Sequence, residues 1–142
     1  MPPQSLQLSQ SQLDVIIAHA RAYPGVEVVG LLGGQGGKVR GVYPLDNNSP
    51  SPEVSFLLGD QDFIDAYFDI EKQGWDLLAI YHSHPRGVSA RPSPADVAHA
   101  NYPEALNLIV SVDGRRQPVA RVFQIVAGRV REVELNIVPG TT

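Results

Sequence analysis

The chain has 142 residues, of which 43% are hydrophobic and 18% charged, with a formal net charge of −4 and no cysteine. This composition predicts one soluble globular domain over residues 1–142, without a disulfide framework, a thiolate nucleophile or a thiolate ligand. The acidic balance disfavours nucleic acid and anionic membranes as partners. Neither a membrane span nor a signal peptide is recognisable, so we expect a cytoplasmic protein.

Two helices are predicted in the first half of the chain. The first begins at Ser9, which forms a capping box with Gln12, and it ends before Pro24. The second spans residues 61–73 and stops at Gly74. Its pattern places five apolar residues on the buried side, namely Phe63, Ile64, Tyr67, Phe68 and Ile70.

Apolar runs bounded by glycine, proline and asparagine predict strands along the rest of the chain. The predicted strands cover residues 26–32, 39–45, 54–58, 77–81, 106–112, 119–126 and 129–138. Gly33 and Gly34 are expected to end the first of them, and Asp113-Gly114 and Ala127-Gly128 to form turns. Helices interleaved with strands, followed by a closing meander, predict an α/β fold in which helices sandwich a mixed sheet.

The run His82-Ser83-His84-Pro85 carries the clearest functional signal. Residues two apart on a strand point the same way, with Cα atoms roughly 6 to 7 Å apart. The imidazoles of His82 and His84 can therefore converge on one ion at the roughly 2.0 to 2.1 Å that zinc requires. Pro85 ends the strand, and the chain returns with Asp96 as a possible third ligand. Two histidines and one carboxylate leave a fourth tetrahedral position for water, as in catalytic zinc sites.

Ser93 and Asp96 also have a purely structural explanation. Ser93 suits the N-cap of a helix over residues 94–101, Pro94 suits its first position, and Asp96 at N3 favours the helix dipole. The two interpretations are compatible, because a helix start can hold a carboxylate at a defined position.

Together these motifs resemble the JAMM (MPN+) family of zinc isopeptidases, whose members carry a Glu, a His-x-His-Pro and a Ser-x-x-Asp in this order. The resemblance extends over most of the chain and includes Glu27 in the run Glu-Val-Val-Gly-Leu-Leu. It implies that His82, His84 and Asp96 bind Zn²⁺, that Glu27 acts as general base and acid, and that Ser93 donates to the oxyanion.

Two departures from the family pattern are visible. Seven residues separate Pro85 from Ser93, where the family usually has six. Glu27 also lies three residues after Pro24, where two is more usual. From the residues alone, the favoured explanation of Glu27 is that it is the outward residue of an alternating strand.

The resemblance implies a JAMM/MPN-like curved sheet with a cytidine-deaminase-like layout. It also implies zinc-dependent hydrolysis of a peptide or isopeptide bond at the C-terminus of a ubiquitin-like or sulfur-carrier protein. Two alternatives stay open, a non-catalytic MPN-type scaffold and a RadC-like DNA-associated metalloprotein. The oligomeric state is open as well, and another divalent ion suits the same ligands.

Four further residues have side chains that suit a role at the site. His19 in the first helix is expected to be structural, whereas His99, three residues after Asp96, could share its helical face. Arg86 and Arg91 flank the loop over the site, where they either grip a substrate carboxylate or remain solvated.

Overall fold

The computed structural model describes residues 4–113 and 116–140. The strands and helices in these ranges are, in chain order, β1 (Ser5–Ser9), α1 (Gln10–Ala22), β2 (Val29–Gln35), β3 (Lys38–Leu45), α2 (Asp60–Lys72), β4 (Asp76–His84), α3 (Pro94–Ala98), β5 (Leu106–Ser111), β6 (Val119–Val126) and β7 (Arg129–Val138). No helix in these ranges has the length and apolar character needed to cross a bilayer.

The strands form a mixed sheet in the order β1-β3-β2-β4-β5-β6-β7, which closes into a barrel. Closure occurs because β1 pairs in parallel with both β3 and β7. The β4–β5 pair is also parallel, and the remaining neighbours are antiparallel. The sequence prediction lacked β1. Leu6 and Leu8 are buried and alternate with polar residues, which is the period-two pattern of a strand. The segment has only five residues, however, and its last residue, Ser9, is also the N-cap of α1.

Helices cover both faces of the sheet, as predicted. Ile16 and Ala20 of α1 pack with Leu32 and Tyr81 in one core cluster. On the other face, α2 packs against the outer residues of β2 and β4 in a second cluster. Because both faces are covered, the central strand β4 is apolar along most of its length and is buried up to its end at His84.

Two strand predictions were wrong. The strand β2 begins at Val29, and it does not end at Gly33 and Gly34 but continues through them to Gln35. Its register with β3 shifts between the two glycines, which marks a bulge. Residues 54–58 do not form a strand, and the only β-type pairing described for them is an isolated bridge between Asn47 and Leu58, outside the sheet. The Asn47 side chain binds backbone groups of this loop, with Nδ2 donating to the Ser55 carbonyl, and such bonds compete with a strand ladder.

The predicted buried face of the second helix was too wide. Ile64 and Phe68 are 56% and 70% exposed, whereas Ala66 and Ile70 are buried. Side chains three to four apart share a helix face, so the face that meets the sheet runs through Ala66 and Ile70, and Ile64 and Phe68 lie outside it.

Small boundary differences remain elsewhere. The third helix ends at Ala98, with His99 as its C-cap, so it is shorter than the predicted span of residues 94–101. The strand β5 ends at Ser111, one residue earlier than predicted. Gly114, half of a predicted turn, lies outside the described residues.

Candidate metal centre

Strand β4 delivers His82 and His84 to the same side of the sheet at its C-terminal end. Its neighbours are β2, with Val29 opposite His82, and β5, with Ile109 beside His82. Central placement leaves the two histidines only 1% and 2% exposed. His82 is therefore paired on both sides and His84 with Ser111 of β5, and both rings are shielded from solvent.

Three potential ligand atoms meet at this strand end. The Nε2 atoms of His82 and His84 lie 3.2 Å apart, and Oδ2 of Asp96 lies 3.2 Å from the first and 3.1 Å from the second. Tetrahedral coordination with bonds of 2.0 to 2.1 Å requires donor atoms roughly 3.3 to 3.4 Å apart. Ligand atoms of Glu27 and these three residues all lie within 4.8 Å of one another. The donor set therefore fits one small metal ion.

The hydrogen bond of His84 defines how its ring presents itself. Nδ1 of His84 lies 2.6 Å from the carbonyl oxygen of Ser89, so Nδ1 carries the proton and donates it. When the ring is neutral, Nε2 is therefore the nitrogen with the free lone pair, as in a metal-binding histidine. The ring of His82 packs against Phe56 with centroids 4.7 Å apart, and its buried Nδ1 has no hydrogen-bond partner among the described residues.

Asp96 is held by a capping box at the helix start, where the sequence predicted Ser93 as N-cap and Asp96 at N3. The Asp96 backbone N–H donates to Oγ of Ser93 at 3.1 Å, and the Ser93 backbone N–H donates to Oδ2 of Asp96 at 2.8 Å. That same Oδ2 faces both histidines. The same carboxylate oxygen therefore caps the helix and faces the two histidines. The Ser93 hydroxyl only accepts a bond in this arrangement, so its proton is available for donation.

Glu27 lies in the segment just before β2, not within a strand, and it is 4% exposed. Its explanation as the outward residue of an alternating strand is therefore wrong. The backbone N–H of Glu27 donates to the Pro52 carbonyl at 2.7 Å, and its buried Oε1 has no hydrogen-bond partner among the described residues. Two other glutamates, Glu53 and Glu71, offer the same carboxylate chemistry, but both are exposed and lie outside the cluster.

Burial and mutual charge shift the titration of all four groups. Burial, and then the negative charge of Asp96, raises the pKa of Glu27 to about 7, against the opposing charges of His84 and Arg86. Burial opposes ionisation of Asp96, but hydrogen bonds from both imidazoles hold its pKa well below its usual range.

The histidines respond in opposite directions. Burial lowers the pKa of His82. Burial also acts on His84, but its hydrogen bonds to Asp96 and Ser89 outweigh it and raise the pKa. An ionised Asp96 facing two Nε2 atoms requires a cation between them, either a proton or a metal ion.

The other candidate residues lie outside the cluster. Nδ1 of His19 is 2.7 Å from the hydroxyl of Tyr81, in agreement with a structural role, and His99 is an exposed C-cap. Arg86 donates to two backbone carbonyls instead of presenting a free fork. Sequence reasoning missed Ser89, because a backbone carbonyl five residues from His84 leaves no mark in the side-chain pattern.

Comparisons with known proteins agree with this geometry. Residues 9–126 match the family described as prokaryotic homologs of the JAB domain. A desampylase of Haloferax volcanii is 33% identical over 81% of this chain and 86% of its own length. A probable TtuB-protein conjugate cleaving protease of Thermus thermophilus is 37% identical, over 78% of this chain and 73% of that protein. A CysO-cysteine peptidase of Mycobacterium tuberculosis is 30% identical, over 89% of this chain and 86% of its own length.

Solved structures share the fold. A protein of Desulfitobacterium hafniense, 36% identical, superposes with a TM-score of 0.84 over 95% of this chain and 94% of that one. A JAB1/MPN domain protein of Archaeoglobus fulgidus, 21% identical, has the same fold, with a TM-score of 0.62 over 94% of this chain and 99% of that one. The chain is therefore a prokaryotic member of the JAMM (MPN+) family, as the motifs in its sequence predicted.

Proposed function

We propose that this protein is a zinc-dependent peptidase that hydrolyses an amide bond at the C-terminus of a ubiquitin-like or sulfur-carrier protein. In this proposal His82, His84 and Asp96 bind the metal, Glu27 is the general base and acid, and Ser93 donates to the oxyanion. The observation that carries it is the triangle of ligand atoms, 3.1 to 3.2 Å on each side, with a buried carboxylate beside it.

Zinc is the metal that this donor set suits best. Two neutral imidazole nitrogens and one carboxylate oxygen, with a fourth position open, are typical of catalytic zinc. A zinc ion held by His82, His84 and Asp96 would lower the pKa of a bound water to about 7, which would provide a nucleophile near neutral pH. The Ser89 carbonyl supports this choice, since it holds His84 in the tautomer that binds a cation through Nε2.

Glu27 has the properties of a proton carrier between water and the leaving amine. A general base works best when its pKa lies near the working pH, and burial together with the charge of Asp96 raises the pKa of Glu27 to about 7. Its Oε1 makes no hydrogen bond to the described residues, so the oxygen is available to take a proton and return it.

Ser93 stands at the start of α3, next to the ligand Asp96. Its Oγ accepts the Asp96 N–H, and its hydroxyl proton is available for an oxygen that gains negative charge during attack on the scissile carbonyl. Because the capping box holds both residues, the donor is oriented before substrate arrives.

The relatives support the substrate class. The names of two relatives, from Thermus thermophilus and Mycobacterium tuberculosis, refer to cleavage of a TtuB-protein conjugate and to a CysO-cysteine peptidase. We infer that this chain likewise cuts the bond between a ubiquitin-like protein and the group attached to it. A cytoplasmic location and a single domain over residues 1–142 remain predictions.

Cleavage assays with a defined substrate test the proposal. A ubiquitin-like protein ending in Gly-Gly is extended by a cysteine, by a short peptide, or by an isopeptide link to a lysine peptide, and products are weighed by mass spectrometry. We expect cleavage after Gly-Gly that chelator abolishes and added zinc restores, and a loss of at least a hundredfold in Glu27→Gln. Cleavage that persists with chelator and in Glu27→Gln would overturn the mechanism. A folded, zinc-loaded protein that cleaves none of the three substrates would point to the scaffold alternative.

A further inference from the structure

Arg86 has an unusual backbone for its residue type. Its φ is 58°, in the left-handed region that favours glycine, and it comes directly after Pro85 at the end of the histidine strand. Such a conformation costs free energy in a residue with a Cβ and persists where other contacts hold it. The contacts of the Arg86 side chain are therefore what holds its backbone in this conformation.

The guanidinium of Arg86 joins two distant segments. Nη1 donates to the Gly25 carbonyl at 2.8 Å, and Nη2 donates to the Glu53 carbonyl at 3.1 Å. Both bonds are charge-assisted, which makes them stronger than hydrogen bonds between neutral groups. The left-handed backbone lets the chain leave β4 and still send this fork back toward both carbonyls.

The two segments that Arg86 joins are those that hold Glu27. Gly25 is two residues before Glu27, and the Glu27 N–H donates to the carbonyl of Pro52, the residue before Glu53. The Glu27 carbonyl accepts from Nδ2 of Asn47 at 2.9 Å, in the same loop. Arg86 therefore closes a ring of hydrogen bonds that connects the histidine loop, the Gly25 turn and the Pro52 loop around Glu27.

We propose that Arg86 is a positioning residue that sets the carboxylate of Glu27 relative to the two histidines. The proposal rests on the proposed function of Glu27 as general base. Glu27 precedes β2, so no strand ladder of its own holds it, and a small displacement of a catalytic carboxylate is costly. The fork geometry is specific to arginine, because the single ammonium of lysine cannot reach two carbonyls in the same way.

The test compares Arg86→Gly, Arg86→Lys and a control, Arg116→Gly. Glycine removes the fork but suits a φ of 58°, so relief of strain offsets the loss of the side chain in folding. Arg116 is an arginine whose side chain is 84% exposed, and its replacement removes the same charge from another loop.

We expect Arg86→Gly to lower kcat by ten- to a hundredfold while KM and zinc content stay within twofold of wild type. Arg86→Lys should recover a part of the loss, and Arg116→Gly should leave kcat unchanged. In a Glu27→Gln background, measured under single-turnover conditions, Arg86→Gly should lower the residual rate less than twofold, because the residue that it positions is already disabled. Amide hydrogen exchange of Glu27 should be at least tenfold faster in Arg86→Gly than in wild type or Arg116→Gly.

Three kinetic outcomes would each overturn the inference: an unchanged kcat in Arg86→Gly, equal losses in Arg86→Gly and Arg116→Gly, or an undiminished loss in the Glu27→Gln background. Failure of the proposed function would look different, since wild type and Glu27→Gln would then have the same activity. The amide exchange of Glu27 needs no substrate, and an unchanged rate in Arg86→Gly would refute the positioning role by itself.

Discussion

The hydroxyl of Ser83 lies 2.9 Å from the backbone nitrogen of Val28 and accepts its hydrogen bond. The Ser83 backbone N–H returns a bond of 3.1 Å to the Val28 carbonyl. Because side chains alternate along β4, the serine between the two histidines points away from their metal-binding side. It thereby ties the histidine strand to the segment that carries Glu27, in a buried place where Ser83 is 1% exposed.

Replacement of Ser83 by alanine is expected to weaken this tie. The buried N–H of Val28 would lose its acceptor, which typically costs about 1 to 3 kcal/mol. We expect a lower melting temperature and a reduced kcat, with zinc content unchanged. Ser83→Thr keeps the hydroxyl and serves as the control. Equal melting temperatures for Ser83→Ala and wild type would contradict the assignment.

Ser93 separates catalysis from helix capping. Removal of one oxyanion donor costs roughly 10² to 10³ in rate, whereas loss of an N-cap side chain costs about 1 kcal/mol of stability when alanine replaces it, and only a few tenths with glycine. We therefore expect Ser93→Gly to keep its metal and nearly its stability but to lose at least a hundredfold in kcat. Denaturant unfolding, metal analysis and turnover assays on one preparation measure the stability, the metal content and kcat. Unimpaired turnover would remove Ser93 from the mechanism.

The titration of Glu27 should be visible in the stability of the metal-free protein. Its pKa is raised from 4.5 to about 7, so the folded state favours the protonated carboxyl. The stability contributed by this group is complete below pH 4.5 and is lost as the pH rises through 7. Glu27→Gln does not titrate at this position. It should therefore melt higher than wild type at pH 8, with a difference that shrinks toward pH 4.5.

Melting curves of both proteins in the presence of chelator, from pH 4.5 to pH 8, measure this difference. Other titrating groups are common to both proteins and largely cancel. Added zinc should reduce the advantage of the glutamine variant, because a cation beside Glu27 favours its ionised form. A difference that is constant across the pH range would contradict the raised pKa.

Gly30 lies opposite Tyr81 in the β2–β4 ladder, and its place in the motif has a steric reason. A Cβ at Gly30 would lie 2.3 Å from Cε2 and 2.4 Å from Cζ of the Tyr81 ring. The ring cannot easily yield, since it is fully buried and its hydroxyl pairs with His19. Gly30→Ala is therefore expected to destabilise the fold by about 1 to 3 kcal/mol and to weaken zinc binding through His82, the next residue.

A double-variant cycle checks that this cost arises from the ring. In a Tyr81→Leu background, Gly30→Ala should cost distinctly less than in wild type, as measured by urea unfolding. Equal losses of unfolding free energy in the two backgrounds would show that Gly30 is required for its backbone conformation and not because of the Tyr81 ring.

Local signals in the sequence predicted that His82, His84 and Asp96 come together, because each signal acts over a few residues. The spacing of His82 and His84 needs only a strand, and Ser93 to Asp96 needs only one helical turn. What escaped prediction depends on contacts between remote parts of the chain. The strand β1 is defined by its pairing with β7, more than a hundred residues away, and the loop near Asn47 replaces a strand with side-chain hydrogen bonds.

The second helix shows the same limit, and two of its isoleucines offer a direct test. Apolar periodicity placed Ile64 and Ile70 on one face, but the sheet covers only the stripe through Ile70, which is 0% exposed, and leaves Ile64 56% exposed. Ile70→Ala should cost about 2 to 5 kcal/mol by opening a cavity against Gly33 of β2. Ile64→Ala should change the free energy of unfolding by less than about 0.5 kcal/mol, because exposed positions without special contacts rarely matter more. Urea unfolding of both variants decides the point, and similar losses at the two positions would mean that a further surface covers Ile64 in solution.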